Sequence, residues 1–185
     1  MTDLVFFDTD CISSFLWVDH ENILIKLFPK RIILPKQVYD ELSYPNVNRI
    51  KGLKSQVDKM IKHNDASINT IEVSTKTYNL YRELTTQPDS YHKIIGKGEA
   101  SAIALAKENQ GILASNNLKD ITFYVKEYKL KHLTTGFILK LAKDTGFITE
   151  PQGNIIWSNM LARKRKLGYQ SFSDYLVANE NIKVN

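Results

Sequence analysis

Seven residues near the N-terminus, Leu4-Val5-Phe6-Phe7-Asp8-Thr9-Asp10, run four apolar side chains straight into two carboxylates separated by a threonine. Further acids stand at Glu41 of "VYDEL", Glu99 of "GKGEASAIALAKE" and Asp120 of "GILASNNLKD". Each lies close to an expected strand end or helix start. Carboxylates brought together without a cation repel one another, and their pKa values rise. A hard divalent cation such as Mg²⁺ or Mn²⁺ relieves that repulsion, because it takes oxygen ligands while keeping several waters. It can also activate water and stabilise phosphoryl oxygens during in-line hydrolysis. As a set, the acids suit metal-dependent cleavage of a phosphodiester. Singly, each has a plainer reading: Glu99 as a first-turn acid at a helix N-terminus, Glu41 as a solvated helical residue.

Such acids need elements that carry them to one place. Residues 4–7 read as a short, wholly buried strand. Residues 31–34, 68–73, 111–115 and 130–133 read as further strands. Helical spacing runs over 12–17, 23–28, 38–42, 47–63 (with Val47 and Ile50 on the apolar face) and 99–109. Ser43–Asn46 breaks the third of these. Ser74 is the expected cap of a helix carrying Tyr78, Tyr81 and Leu84. "NNLKD" opens another helix, and Thr134 or Thr135 caps one that reaches Lys143. Strand and helix alternate, which predicts an α/β fold: three layers, with a central, mostly parallel sheet flanked by helices. In open parallel sheets, ligands bind outside the carboxyl ends of the strands. Asp8 and Asp10 after the first strand, and Asn116, Asn117 and Asp120 after "GILAS", should reach the same edge. From Pro151 the character changes. Residues 151–185 are expected as a C-terminal helical appendage to a domain over 1–150, with Trp157 in one helix and "SFSDYL" in another.

The chain of 185 residues is 43% hydrophobic and 24% charged, enough apolar material for a real core. Its formal charge of +5 fits a polyanionic partner but does not by itself require one. "RKRK" (Arg163, Lys164, Arg165, Lys166) reads either as a solvated helix end or as a grip on phosphates that carries no sequence information. Cys11 is the only cysteine, which excludes an intrachain disulfide and a cysteine-based zinc site; a buried, inert thiol is expected. His20, His63, His92 and His132 have no ligand spacing. "GKG" lacks the upstream pattern of a phosphate loop, so its glycines are expected to shape the start of the Glu99 helix. No secretory leader pattern and no apolar run long enough for a bilayer stands out, so a cytoplasmic protein without a membrane partner is expected.

The pieces "LVFFDTD", "LPKQVYDEL", "GKGEASAIALAKE" and "GILASNNLKD" together resemble the PIN-domain ribonucleases, over roughly residues 4–143. That resemblance maps the family's first acid onto Asp8, its second onto Glu41 with Asp40 as the alternative, and its third onto Glu99. The fourth region falls on Ser115, Asn116, Asn117 and Asp120. It implies an endoribonuclease that cleaves single-stranded RNA. Asp8, Glu41, Glu99 and Asp120 would be catalytic, and Asp8, Glu99 and Asn117 would hold Mg²⁺ or Mn²⁺. Asp10, Ser115 and Asn116 would give hydrogen-bonding support behind them. The family includes toxins of toxin–antitoxin pairs, which implies an antitoxin protein and a homodimer as partners. Asparagine replaces the aspartate often found at one or both of 116 and 117. It can offer a carbonyl ligand but brings no charge, which bears on a second metal.

Two rival readings stand beside this one. The asparagine pair also suits a catalytically degenerate PIN-like module that only binds nucleic acid or serves as a scaffold. "DTD" after an apolar strand also resembles haloacid-dehalogenase-type phosphatases, and "ILASNN" resembles their second motif. Against the phosphatase, Cys11 stands where Gly is usual, Ile12 where Thr or Val is usual, and no later strand ends in paired aspartates.

Overall fold

The computed structural model describes residues 3–43, 51–88 and 93–180. Five strands form one parallel sheet in the order β3-β2-β1-β4-β5: β1 (Val5–Phe7), β2 (Ile32–Pro35), β3 (Ala66–Asn69), β4 (Ile112–Ala114) and β5 (Lys131–Leu133). Among the described residues ten helices connect and flank them: α1 (Thr9–Leu16), α2 (Glu21–Leu27), α3 (Lys36–Leu42), α4 (Lys51–Lys62), α5 (Lys76–Thr85), α6 (Lys97–Glu108), α7 (Leu118–Glu127), α8 (Thr135–Asp144), α9 (Glu150–Ala162) and α10 (Phe172–Ala178).

The apolar strands follow from burial on both faces. Along β1, β2 and β4 side chains alternate between two cores. Val5, Phe7, Ile32, Leu34, Ile112 and Ala114 join one cluster, with α1–α4 and α8–α10. Phe6, Ile33 and Leu113 join the other, with α5, α6 and α7. With both faces covered there is no polar side to alternate with, so these strands read as continuous apolar runs.

From β1 the chain builds outward one way through β2 and β3, then crosses to β4 and β5 on the other side. The strand order therefore switches between β1 and β4, where open α/β sheets form their ligand crevice. Asp8 directly follows β1 and Ser115 directly follows β4, and the Asp8 amide donates to the Ala114 carbonyl at 2.9 Å across that junction.

Three expectations about elements are corrected. The third strand lies at 66–69 rather than 68–73. Its pairing with β2 runs from Ala66↔Ile32 to Pro35↔Asn69; beyond Pro35 the partner chain turns into α3, so residues 70–73 have no strand to pair with. Thr75, not Ser74, caps α5, its hydroxyl accepting from the Tyr78 amide at 3.1 Å. Helix α1 begins at Thr9 instead of near Ile12, because Asp8 itself caps it, and this places Asp10 in the first helical turn. Tyr44, Pro45 and Asn46 of the expected break, Val47, Ile50 and His92 lie outside the described residues.

The C-terminal helices share the first core. Trp157 is fully buried there with Ile156, Met160 and Phe172.

Candidate active site

Asp8 is fixed from three directions. Its backbone is held by β4, its Oδ1 accepts from the Cys11 amide at 2.7 Å as the α1 cap, and the side chain is completely buried. Its Oδ2 is buried with no hydrogen-bond partner of ordinary geometry among the described residues. Burial pushes this carboxyl up to about 7. The Ser115 hydroxyl and the Cys11 amide pull against that rise, while the negative charges of Asp10 and Glu99 add to it. The Cys11 thiol is likewise buried and pushed well up by burial, an inert group as expected.

Glu99 sits in the first turn of α6. Its Oε1 accepts from Asn117 Nδ2 at 2.7 Å, and its Oε2 meets the Gly96 amide at 3.4 Å. Burial raises its pKa; Asn117 and Gly96 oppose the shift, and the charges of Asp120 and Glu41 reinforce it. The same Asn117 amide nitrogen donates to Asp120 Oδ2 at 2.6 Å. One uncharged NH₂ group thus bridges two carboxylates.

Glu41 projects from α3 and is held by the Thr9 hydroxyl and by the Gly98 amide, the latter at 2.9 Å. Thr9 is a site residue that sequence reasoning passed over, although it stands between the two acids of "DTD". Asp40, the alternative to Glu41, instead makes an exposed ion pair with Lys36. Gly98 explains the second glycine of "GKG": a Cβ there would lie 2.6 Å from Thr9 Oγ1 and 2.8 Å from Glu41 Oε2. Gly98→Ala should therefore displace Glu41. A destabilisation of about 1–3 kcal/mol from overpacking strain is expected by thermal melting. Gly52→Ala, whose Cβ would meet nothing within 4 Å, is the control in the same assay.

Asp10 serves a different wall. Its Oδ2 accepts from Asn116 Nδ2 at 3.1 Å and its Oδ1 from Arg165 at 3.2 Å. Asn116 is itself locked to Thr135, accepting from the Thr135 amide at 2.8 Å and donating to its hydroxyl at 2.9 Å. Arg165 also reaches Ser13 Oγ at 3.4 Å. Asp10, Glu99, Asn116, Asn117, Lys164, Arg165 and Lys166 line a cleft of about 380 Å³ at the carboxyl edge of the sheet. Arg163 lies elsewhere, lining a separate hollow with Trp17, Val18 and Asp19, so the basic run divides. His132, one of the histidines without ligand spacing, lies in β5 with its ring nitrogen 2.8 Å from the Ser115 carbonyl, and burial lowers its pKa.

The predicted acids are therefore neighbours, but they are not gathered into one cage. Among the described residues no group of three or more His, Cys, Asp or Glu side chains is placed to hold a metal ion. Mg²⁺ does not require such a cage, since one or two carboxylates and several waters suffice. Asp8, whose Oδ2 is buried without a hydrogen-bond partner among the described residues, and Glu99, raised by burial, fit the needs of a hard cation. Asn117 can contribute its carbonyl oxygen if its amide turns over.

The fold and the site define an α/β protein with a part-acidic, part-basic cleft at the switch point of its sheet. A family model described as a PIN domain matches residues 4–176, and the chain belongs to the PIN-domain family. PIN domains are generally nucleases, acting on nucleic acids and typically using divalent metals. This membership, rather than the "DTD" motif, decides against the phosphatase reading. No curated protein and no solved structure matched the chain. No helix among the described residues is long and apolar enough to cross a membrane.

Proposed function

We propose that the protein is a Mg²⁺- or Mn²⁺-dependent endoribonuclease that cleaves single-stranded RNA. The observation that carries this reading is Asp8: a fully buried carboxylate, capped into place just past β1, with one oxygen that meets no hydrogen-bond criterion to any of the described residues, the Ser115 hydroxyl beside it included. Burying a carboxylate is costly unless a compensating charge arrives. Asp8 and Glu99, with the Asn117 carbonyl, would hold the cation. When bound, the metal would supply an activated water and neutralise charge on the phosphoryl oxygens. Glu41, positioned by Thr9 and Gly98, is suited to accept a proton beside it, and Asp120 keeps Asn117 oriented. The test is cleavage of a single-stranded RNA across a Mn²⁺ and a Mg²⁺ titration. Saturable, chelator-reversible cleavage is expected, and no cleavage with either ion would remove the reading.

Lys164 and Lys166 line the cleft without an ion pair among the described residues, whereas Arg165 is committed to Asp10. The two lysines are suited to backbone phosphates. Lys164→Ala with Lys166→Ala should reduce the slope of log K against log salt by about 1.4, at roughly 0.7 per phosphate contact on a single strand. Arg163→Ala should leave the slope unchanged.

The second reading, a non-catalytic binding module, is favoured by one observation: the Asn117 amide already satisfies Glu99 and Asp120 without a cation. RNA binding with no cleavage under any metal would support it. A toxin role, with an antitoxin that plugs the cleft and a homodimer that pairs two sites, rests on the family resemblance. Growth arrest on expression, relieved by a protein encoded beside this one, would test it.

A further inference from the structure

A cavity of about 460 Å³ opens beside the acidic cleft and shares two walls with it, Asn116 and Lys166. Its other faces are mostly carbon, from Leu118, Phe137, Tyr169 and Tyr175. The aromatic wall is built rather than incidental. Tyr175 lies so close to α8 that a Cβ on Gly136 would stand 2.5 Å from its ring. Tyr175 is stacked over Phe172 at 6.4 Å between centroids, and Tyr169 meets Tyr175 edge-on at 5.5 Å. Trp157 Nε1 donates to the Tyr169 carbonyl at 3.1 Å, pinning the loop that carries it.

Aromatic clusters are commonly nothing more than core, but core packing fills its own space. Here a volume in the range of small-ligand sites stays open, and both Leu118 (51%) and Tyr169 (37%) are exposed at it. Thr134, His132 and Asn116 add polar groups among the carbon. A flat, apolar-faced ligand with a hydrogen-bonding edge matches that lining. Lys166, on the shared wall, marks where such a ligand would be joined to a phosphate in the cleft.

We propose that this cavity takes one unstacked nucleobase of a single-stranded RNA whose backbone lies in the adjoining cleft. The proposal rests on the nuclease reading for the path of the backbone and goes beyond it in naming a base-recognition site. Unstacked bases held on aromatic side chains are the usual route to reading single-stranded RNA.

The test is equilibrium binding of a short single-stranded RNA, measured with metal withheld so that nothing is cut, with a single abasic ribose walked along the strand. One position should weaken binding by roughly 10-fold, the scale of one base–aromatic stack. That penalty should shrink towards none in Tyr169→Ala and in Leu118→Ala, two exposed positions. An equal penalty in wild type and both variants overturns the proposal. A penalty at no position does so too, and would assign the cavity to another occupant, such as an aromatic side chain of a partner protein. Cleavage with metal restored is scored separately, so loss of the base site and loss of the nuclease reading remain distinguishable.

Discussion

Asp8→Asn should abolish the proposed metal-dependent cleavage while leaving the protein folded. The loss should exceed the 10–100-fold typical of groups that merely support a metal ligand, because Asp8 is the candidate ligand itself. Asparagine is as good a helix cap as aspartate, so the bond from the Cys11 amide that starts α1 can persist. The same variant reports on the metal without any turnover. Wild type should melt higher as Mn²⁺ is added, since a ligand that binds only the folded state stabilises it, and Asp8→Asn should not respond.

The pH dependence has a definite sign. Folded Asp8 titrates at about 7 against an ordinary value of 3.8. Between these values the folded protein keeps a proton that the unfolded chain has released. Without metal, wild type should therefore lose stability as pH rises from about 4 to about 7, by up to about 4 kcal/mol. Glu99, raised by burial, adds in the same direction. His132, lowered by burial, works in the opposite direction below its ordinary value of 6.5. The difference between wild type and Asp8→Asn, from melts between pH 4 and 8 in chelator, isolates the Asp8 share. A parallel pair of curves would show that Asp8 carries no such burden.

How much of this could be read beforehand depended on the range of the interaction. Asp8 was legible because four apolar residues before it announce a buried strand, and a buried strand fixes its last residue. The alternation of strand and helix made the parallel sheet legible, and with it the meeting of Asp8 with the Asn116–Asp120 turn. Glu99 was legible from its helix start. What the sequence could not display was the contact set of each side chain. Asp10 is expected as hydrogen-bonding support, but its partners are invisible to spacing: Arg165 lies 155 residues away along the chain and Asn116 lies 106. Thr9 and Gly98 were passed over as site residues because their importance lies in clasping Glu41, a contact that periodicity cannot encode. The third strand is displaced from 68–73 because that β-branched run has strand propensity throughout but a partner only as far as Asn69. Pairing, not propensity, sets where a strand stops.

Trp157→Ala should cost about 3–5 kcal/mol, the scale for removing a fully buried large aromatic. In a chain of this size that lowers the melting temperature by roughly 6–20 °C. Trp157 packs at 5.9 Å from Phe172 and 5.5 Å from Tyr175, and its indole N–H holds the Tyr169 carbonyl. Trp157, Phe172 and Tyr175 share one core cluster with Phe7, Ile12 and Leu34, so the damage should not stay local. A single cooperative transition, shifted as a whole, is expected by calorimetry. The alternative is an appendage that melts by itself before an unaffected nuclease core, and two separated transitions would establish it. Truncation after residue 150 sharpens the contrast. It removes Trp157 and also Lys164, Arg165 and Lys166 from the cleft. The remaining chain should lose both its stability and the proposed phosphate contacts, rather than persisting in a weaker but folded form.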